Sequence, residues 1–388
     1  MQALHFGAGN IGKGFIGSLL NKTGYDVCFV DVNQEVVDNF NRNNRYLVEI
    51  LDDNHTIEVV SPVTALNGAL QVEEVVEGVI NADIITTSVG IDNLSRIAKV
   101  IATGLLRRLK ENKDKLDIIA NENAVNATTT LKQEIAKHVS EKDMEEIILN
   151  VGFPNSAIDR LALSKESDTD EIALVEPFYE WVINKKEMVN LNSPPIKGAL
   201  YVDDLNPYIE RKLYSVNMGH ATAAYIGFIN NEKTVQSALS NPEIEEFVRG
   251  TLNETAQYLI RKFEVNEKDM NDYIEKTLSR FKNKNVKDDV LRVGRSPIRK
   301  LGCGERLVKP TQELLKHELP VNHLIKVIAA AFLFDNPKDE ESKTLKQYVR
   351  DNGIDNAIVH FTKIENERIR NAIIENYNHF KNNKEMLI

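Results

Sequence analysis

Cysteine, basic charge and long apolar runs are all scarce in this chain, and each scarcity removes a class of protein. The only cysteines, Cys28 and Cys303, lie in different halves of the 388 residues and form no CxxC pair. Neither a disulfide framework nor a zinc site is expected from them. No apolar stretch approaches the roughly 20 residues that a membrane-spanning helix needs, so no membrane partner is expected. Lys and Arg number 48 against 58 Asp and Glu, a formal net charge of −10. That balance argues against a nucleic-acid or anionic-membrane surface, while leaving room for a local basic pocket. The first residues, "MQALHFGAGNIG", enter a strand and turn at once with no signal-peptide pattern, so a cytoplasmic protein is expected. What is present is ordinary: 42% hydrophobic and 27% charged residues, the mixture of a globular protein. A chain of this length exceeds one ordinary core, and two domains are expected.

The first half alternates short β-rich runs with helical stretches. "ALHF" leads into a glycine turn and then "KGFIGSLLNKTG", where Gly24 reads as a helix stop. "YDVCFVDV" reads as a buried strand and "QEVVDNFNRNN" as a polar helix. "YLVEIL" and "TIEVVSPVTAL" alternate apolar with polar positions, as half-exposed strands do. "ADIITTSVG", "LDIIANEN" and "EIILNVGFPN" each run from an apolar strand into a polar or glycine-bearing loop. Strands separated by helices predict an α/β domain with a doubly wound parallel sheet, its ligands lying beyond the carboxyl ends of the strands. Near residue 195 the Pro-bearing "NSPPIKG" changes the texture, and helical periodicity follows. We therefore expect an N-terminal doubly wound domain over 1–195 and a mainly α-helical domain over 196–388. "VNHLIKVIAAAFLF" is apolar nearly all round and predicts a central packed helix. "SRFKNKNVKDD" reads as a solvated surface segment. The apolar helical faces suit each other or a second chain equally, so oligomeric state stays open.

"GAGNIG" follows the first strand and gives Gly7, Gly9 and Gly12 in GxGxxG spacing. The first glycine permits a tight turn, the second lets backbone approach a pyrophosphate, and the third lets helix and strand pack closely. The phosphates then meet a helix N-terminus, where N–H groups and the helix dipole favour negative charge. The whole turn, Gly7, Ala8, Gly9, Asn10, Ile11 and Gly12, is the candidate cradle of a Rossmann-type dinucleotide site. The next strand ends at Asp31, whose carboxylate suits the ribose hydroxyls and repels a 2′-phosphate, so NAD is expected over NADP. Thr87 and Val89 in "TTSVG", and Asn123 in "NEN", sit at later strand ends and are further candidates to line the crevice.

"KLYSVNMGH" places Lys212, Asn217 and His220 together after "NPYIER", where Asn206 suits a helix cap and Pro207 the first helical position. At 100° per residue an α-helix turns Asn217 about 140° away from Lys212, with His220 between them. Lys212 and His220 lie about 12 Å apart along such a helix. Spacing alone therefore leaves two readings: a catalytic group reached by a flexible lysine stem, or a snorkelling lysine, a surface asparagine and a semi-buried histidine.

The K-x4-N-x2-H spacing resembles the signature of the polyol-specific long-chain dehydrogenases. The likeness extends to "GAGNIGKGFIG", "NEN", "GFPNSAIDR", "EPFYEWVI" and "RSPIRKLGCGERLVKP", and so to essentially the whole chain. The resemblance implies an NAD-dependent, zinc-free dehydrogenase acting on a secondary alcohol. It makes Lys212 the general base, Asn123 and Asn217 the amides that hold the developing alkoxide, and His220 the group that orients substrate and lysine. Burial and a neighbouring positive charge both favour the neutral amine that a general base needs. Some members carry a glutamate relay three residues before the lysine; here that position is Ile209, with Glu210 one step later. The basic group Arg295, Arg299, Lys300 and Arg306 suits a substrate phosphate, since guanidinium groups make bidentate phosphate contacts; a solvated basic loop would look the same in sequence. A small sugar-phosphate substrate is thus expected, with no metal. The alternatives are a free polyol or a hexuronate on the same fold, or a non-catalytic NAD-sensing module.

Overall fold

The computed structural model describes residues 1–111, 113–165 and 171–383. Contacts divide the chain into two units, Met1–Tyr208 and Ile209–Ile388. Among the described residues, thirteen strands lie in the first: β1 Gln2–Phe6, β2 Asp26–Asp31, β3 Tyr46–Ile50, β4 Ile57–Val60, β5 Val63–Asn67, β6 Ile84–Thr87 and β7 Leu116–Ala120, then β8 Val151–Gly152, β9 Ser156–Asp159, β10 Ala162–Lys165, β11 Ile172–Val175, β12 Glu180–Asn184 and β13 Ala199–Val202.

Six of them form one parallel sheet in the order β5-β2-β1-β6-β7-β8. Helices such as Val72–Asn81 and Leu94–Lys110 make the crossovers, and their apolar stripes bury Val75, Val79, Ala98 and Ile101 against the sheet. The order reverses between β1 and β6, so the crevice of this doubly wound sheet opens beyond the ends of those two strands. Every residue of β7 is buried, as a central strand covered on both faces requires.

Two further sheets join the doubly wound one. β3 and β4 leave the main sheet and pair with β10 and β11 in the order β10-β11-β3-β4. β9, β12 and β13 make a third sheet. β13 pairs with β12 through Trp181↔Ala199 to Asn184↔Val202, so the first unit continues past the boundary expected at residue 195. Gly24 ends its helix as anticipated, with φ 104° at the C-cap.

In the second unit the described residues form helices, with one isolated bridge between Thr234 and Asp289. Asn217–Ile229 and Asn322–Leu333 are buried on nearly every side, the latter through Leu324, Ile328 and the Ala329–Ala331 run. Pro242–Phe263 starts with Asn241 accepting from the Glu243 N–H and proline at its first position. No described helix is long and apolar enough to cross a membrane.

Candidate active site

The glycine turn begins where β1 stops. Gly7 has φ 101° and its N–H donates to the Val30 carbonyl at 2.8 Å, a conformation that a side chain strains. A Cβ on Gly12 would lie 2.0 Å from the Gly7 carbonyl oxygen and 2.8 Å from His5 Nε2. These two glycines are required by the protein's own packing. Gly9 differs: nothing lies within 4 Å of a Cβ built there. Its bareness serves something that approaches from outside, as a pyrophosphate would. The helix starting here, with Lys13 N–H on Gly9 O at 2.9 Å, turns its first-turn N–H groups and positive dipole end toward that space.

Asp31 stands at the end of β2. One oxygen accepts from Ala8 N–H at 2.7 Å and the other from Asn33 N–H at 2.9 Å, which fixes the carboxylate on the rim of the turn. A cavity of about 700 Å³ adjoins it, lined by Gly9, Asp31, Val76, Val89 and Ile97 among others. The lining joins apolar Val76, Val89 and Ile97 with the anchored Asp31 carboxylate and the charged Glu73, Arg96 and Lys99, a setting that fits an adenosine moiety, and the volume falls in the range of small-molecule sites. The residues present therefore fit a dinucleotide: open glycine backbone for its phosphates, an acceptor for its ribose.

Sequence reasoning missed two groups that hold this region in shape. Glu122 is buried, and its carboxylate accepts from Thr87 Oγ1 at 2.7 Å, Val89 N–H at 3.0 Å and Gly90 N–H at 2.7 Å. It thereby pins the Thr87–Gly90 loop to the end of β7. Thr87 is itself buried, its hydroxyl committed to Glu122 and its carbonyl accepting from Asn121 N–H at 2.9 Å, so its part is to hold the loop in place. Asn123, next along, is exposed. His5 lies under the turn, its ring nitrogens 2.6 Å from Thr86 Oγ1 and 2.7 Å from Ser88 Oγ. Complete burial lowers it to about 3, against a smaller opposing effect of a hydrogen bond to Gly7, so the ring stays neutral. The "NEN" motif held the signal for Glu122; His5 left none beyond a polar residue in an apolar strand.

In the second unit the largest difference from expectation is helical pitch. Asn206–Arg211 is α-helical, but Lys212–Val216 is a π-turn, closed by Asn217 N–H on Lys212 O. Bonding from i to i+5 stacks residues five apart much as an α-helix stacks residues four apart. The 140° offset expected between Lys212 and Asn217 is therefore largely removed, and both come to one side. Exposure agrees with this. Lys212, Asn217 and His220 are half-buried, while Tyr214, Ser215, Val216, Met218 and Gly219 are buried. The helix start differs slightly too: Asn206 N–H is capped by Asp204 Oδ1 at 2.9 Å, so Asp204 does the work assigned to Asn206. Glu210 faces Tyr258 and Lys262, accepting from them at 2.8 and 2.7 Å. Ile209 offers no proton relay and Glu210 is engaged elsewhere.

The basic residues after 295 converge. Burial first, and then the fields of Arg306, Arg299 and Arg295, together lower the Lys300 ammonium to about 7 against an opposing effect of Asp339. Gathering four cations is costly unless an anion relieves it. The roles are unequal, however. Lys300, one of the candidate phosphate ligands, is buried and donates to the Val293 carbonyl at 2.7 Å and to the Arg295 carbonyl, so it braces the loop that carries Arg295. Arg306 is also buried, beside Glu305 at 3.2 Å, whereas Arg295 and Arg299 are exposed.

Comparison with known proteins follows the same division. A family model of the mannitol dehydrogenase Rossmann domain matches residues 1–198, and one of the mannitol dehydrogenase C-terminal domain matches 204–387. The mannitol-1-phosphate 5-dehydrogenase of Geobacillus stearothermophilus is 41% identical over 383 residues, covering 98% of this chain and all of that protein. That of Bacillus subtilis (strain 168) is 42% identical over 374 residues, 96% of this chain and 98% of the relative. Among solved structures, Pseudomonas fluorescens mannitol 2-dehydrogenase in ternary complex with NAD and D-mannitol shares the fold at TM-score 0.73 and 16% identity, covering 99% of this chain and 92% of that one. A D-sorbitol dehydrogenase does so at TM-score 0.86 and 15% identity, with coverages of 98% and 93%. With both domain models matched in order and relatives this similar along nearly the full length, the chain belongs to the mannitol dehydrogenase family.

Proposed function

We infer that the chain catalyses the reversible, NAD-dependent oxidation of D-mannitol 1-phosphate to D-fructose 6-phosphate. The observation that carries this reading is the single half-buried helical side on which the π-turn sets Lys212, Asn217 and His220. Its curated relatives bear the name of that activity.

The glycine turn and Asp31 would hold NAD, which would supply the acceptor for the hydride of the carbinol carbon. Lys212 takes the proton of the hydroxyl on that carbon, and returns it in the reverse direction. Oxygen carries growing negative charge while both leave, and the Asn217 amide donates a hydrogen bond to it, the role that the family resemblance gives Asn123 as well. His220 orients the same hydroxyl. The glycine turn and the Thr87–Gly90 loop, braced by Glu122, hold the dinucleotide in register. Asp31 selects the unphosphorylated ribose. Arg295 and Arg299 are the phosphate ligands of this proposal, with Arg306 adding field and Lys300 shaping their loop.

NADH oxidation measured with fructose 6-phosphate, fructose and a keto-uronate tests the substrate. The phosphorylated ketose should exceed the others by about a hundredfold in kcat/KM, since a charged group held by hydrogen bonds contributes about 1.5–3 kcal/mol per contact. Equal turnover of free fructose would move the function to a polyol dehydrogenase. Arg295→Ala and Arg299→Ala should each raise the KM for fructose 6-phosphate about tenfold or more with kcat little changed. If neither shifts it, the phosphate is bound elsewhere.

A further inference from the structure

A carboxylate sits behind the histidine of this site. His220 Nε2 meets Asp288, whose side chain is only 5% exposed, and Arg292 contacts the other oxygen of the same carboxylate. The imidazole is also stacked on Phe281, with ring centroids 4.9 Å apart and planes 13° from parallel. Two partners at right angles to each other thus define where the ring stands and how it is rotated.

Asp288 is held as firmly as the ring. Its carbonyl accepts from Val235 N–H at 2.9 Å, and its N–H donates to Gln236 Oε1 at 3.1 Å. Val290 N–H donates to Lys233 O at 3.0 Å, and Thr234 bridges Asp289. Asp289 then caps the helix Val290–Gly294 by accepting from Arg292 N–H at 3.0 Å. A segment read in sequence as solvated surface is in fact sewn to residues 233–236. Burying a carboxylate is costly without donors to meet it, so an acid placed here needs the imidazole and guanidinium that flank it.

We propose that Asp288 is a positioning residue for the reaction, acting through His220. The proposal rests on the reading of Lys212, Asn217 and His220 as the catalytic set. By accepting the Nε2 proton, Asp288 fixes the neutral ring in one tautomer and makes Nδ1 an acceptor. That acceptor receives a hydrogen bond from an N–H of the neutral lysine amine, which turns the amine lone pair toward the hydroxyl whose proton Lys212 takes. No proton passes to Asp288, and the carboxylate stays an acceptor throughout.

Asp288→Asn removes the charge while keeping the shape. Its kcat for fructose 6-phosphate should fall about a hundredfold, the scale on which positioned proton transfer contributes. NADH affinity, measured by fluorescence titration, should be unchanged. In a His220→Gln background the same change should cost less than threefold, because its only route of action has been removed. A purely packing role would instead add its full effect in both backgrounds. Should the asparagine variant not accumulate as folded protein, Asp288→Ala is measured in the same cycle. Wild-type turnover in the single variant, or full additivity in the double, overturns the proposal. Failure of the wild-type protein to reduce fructose 6-phosphate at all would instead overturn the functional reading beneath it.

Discussion

Lys212→Ala should reduce fructose 6-phosphate about a thousandfold more slowly than the wild type while still binding NADH. Removing the base leaves the hydroxyl proton with no acceptor placed for it, and general acid–base groups contribute about 10²- to 10⁴-fold. The dinucleotide contacts argued above all lie in Met1–Tyr208, in the glycine turn, at Asp31 and in the Thr87–Gly90 loop, so the affinity for NADH should hold. Steady-state kinetics combined with an NADH titration separates the two quantities. Turnover at the wild-type rate would remove Lys212 from the mechanism.

A pair of glycine substitutions should give the second large effect, and with opposite signatures. Gly12→Ala drives a methyl to 2.0 Å from the Gly7 carbonyl, a backbone atom with nowhere to go. The turn must shift, at about 1–3 kcal/mol for overpacking, so both the melting temperature and NADH affinity should fall. Gly9→Ala places its methyl in open space and at an ordinary φ. Its melting temperature should stay within about 2 °C of the wild type, a surface change being worth within about 0.5 kcal/mol. Its NADH affinity should nevertheless fall by more than tenfold, because the methyl occupies the place of the pyrophosphate. If Gly9→Ala binds NADH normally, the phosphates do not lie against that backbone.

The parts of this molecule that were legible in sequence are those fixed by local chemistry. "GAGNIG" after an apolar strand announces its turn because only glycine tolerates the φ of Gly7 and the approach at Gly12. Gly24 is equally local. The parallel sheet follows from strands alternating with helices. What escaped is what tertiary contacts create. β3 and β4 carry ordinary strand patterns, and nothing in them says that their partners are β10 and β11 far along the chain. The π-turn is invisible to a 100° wheel, because one extra residue in a turn leaves the composition unchanged. Glu122 and Asp288 look like solvated acids until the loop over Thr87–Gly90 and the ring of His220 close on them. Lys300 reads as one more basic residue, and only its burial against two carbonyls separates it from Arg295 and Arg299.

NADH oxidation by fructose 6-phosphate, measured before and after exhaustive chelation, decides whether the Lys212 amine takes the hydroxyl proton without a metal ion. The rate should be unchanged in the chelated protein; a rate abolished by the chelator and restored by a divalent cation would assign the proton step to a metal instead.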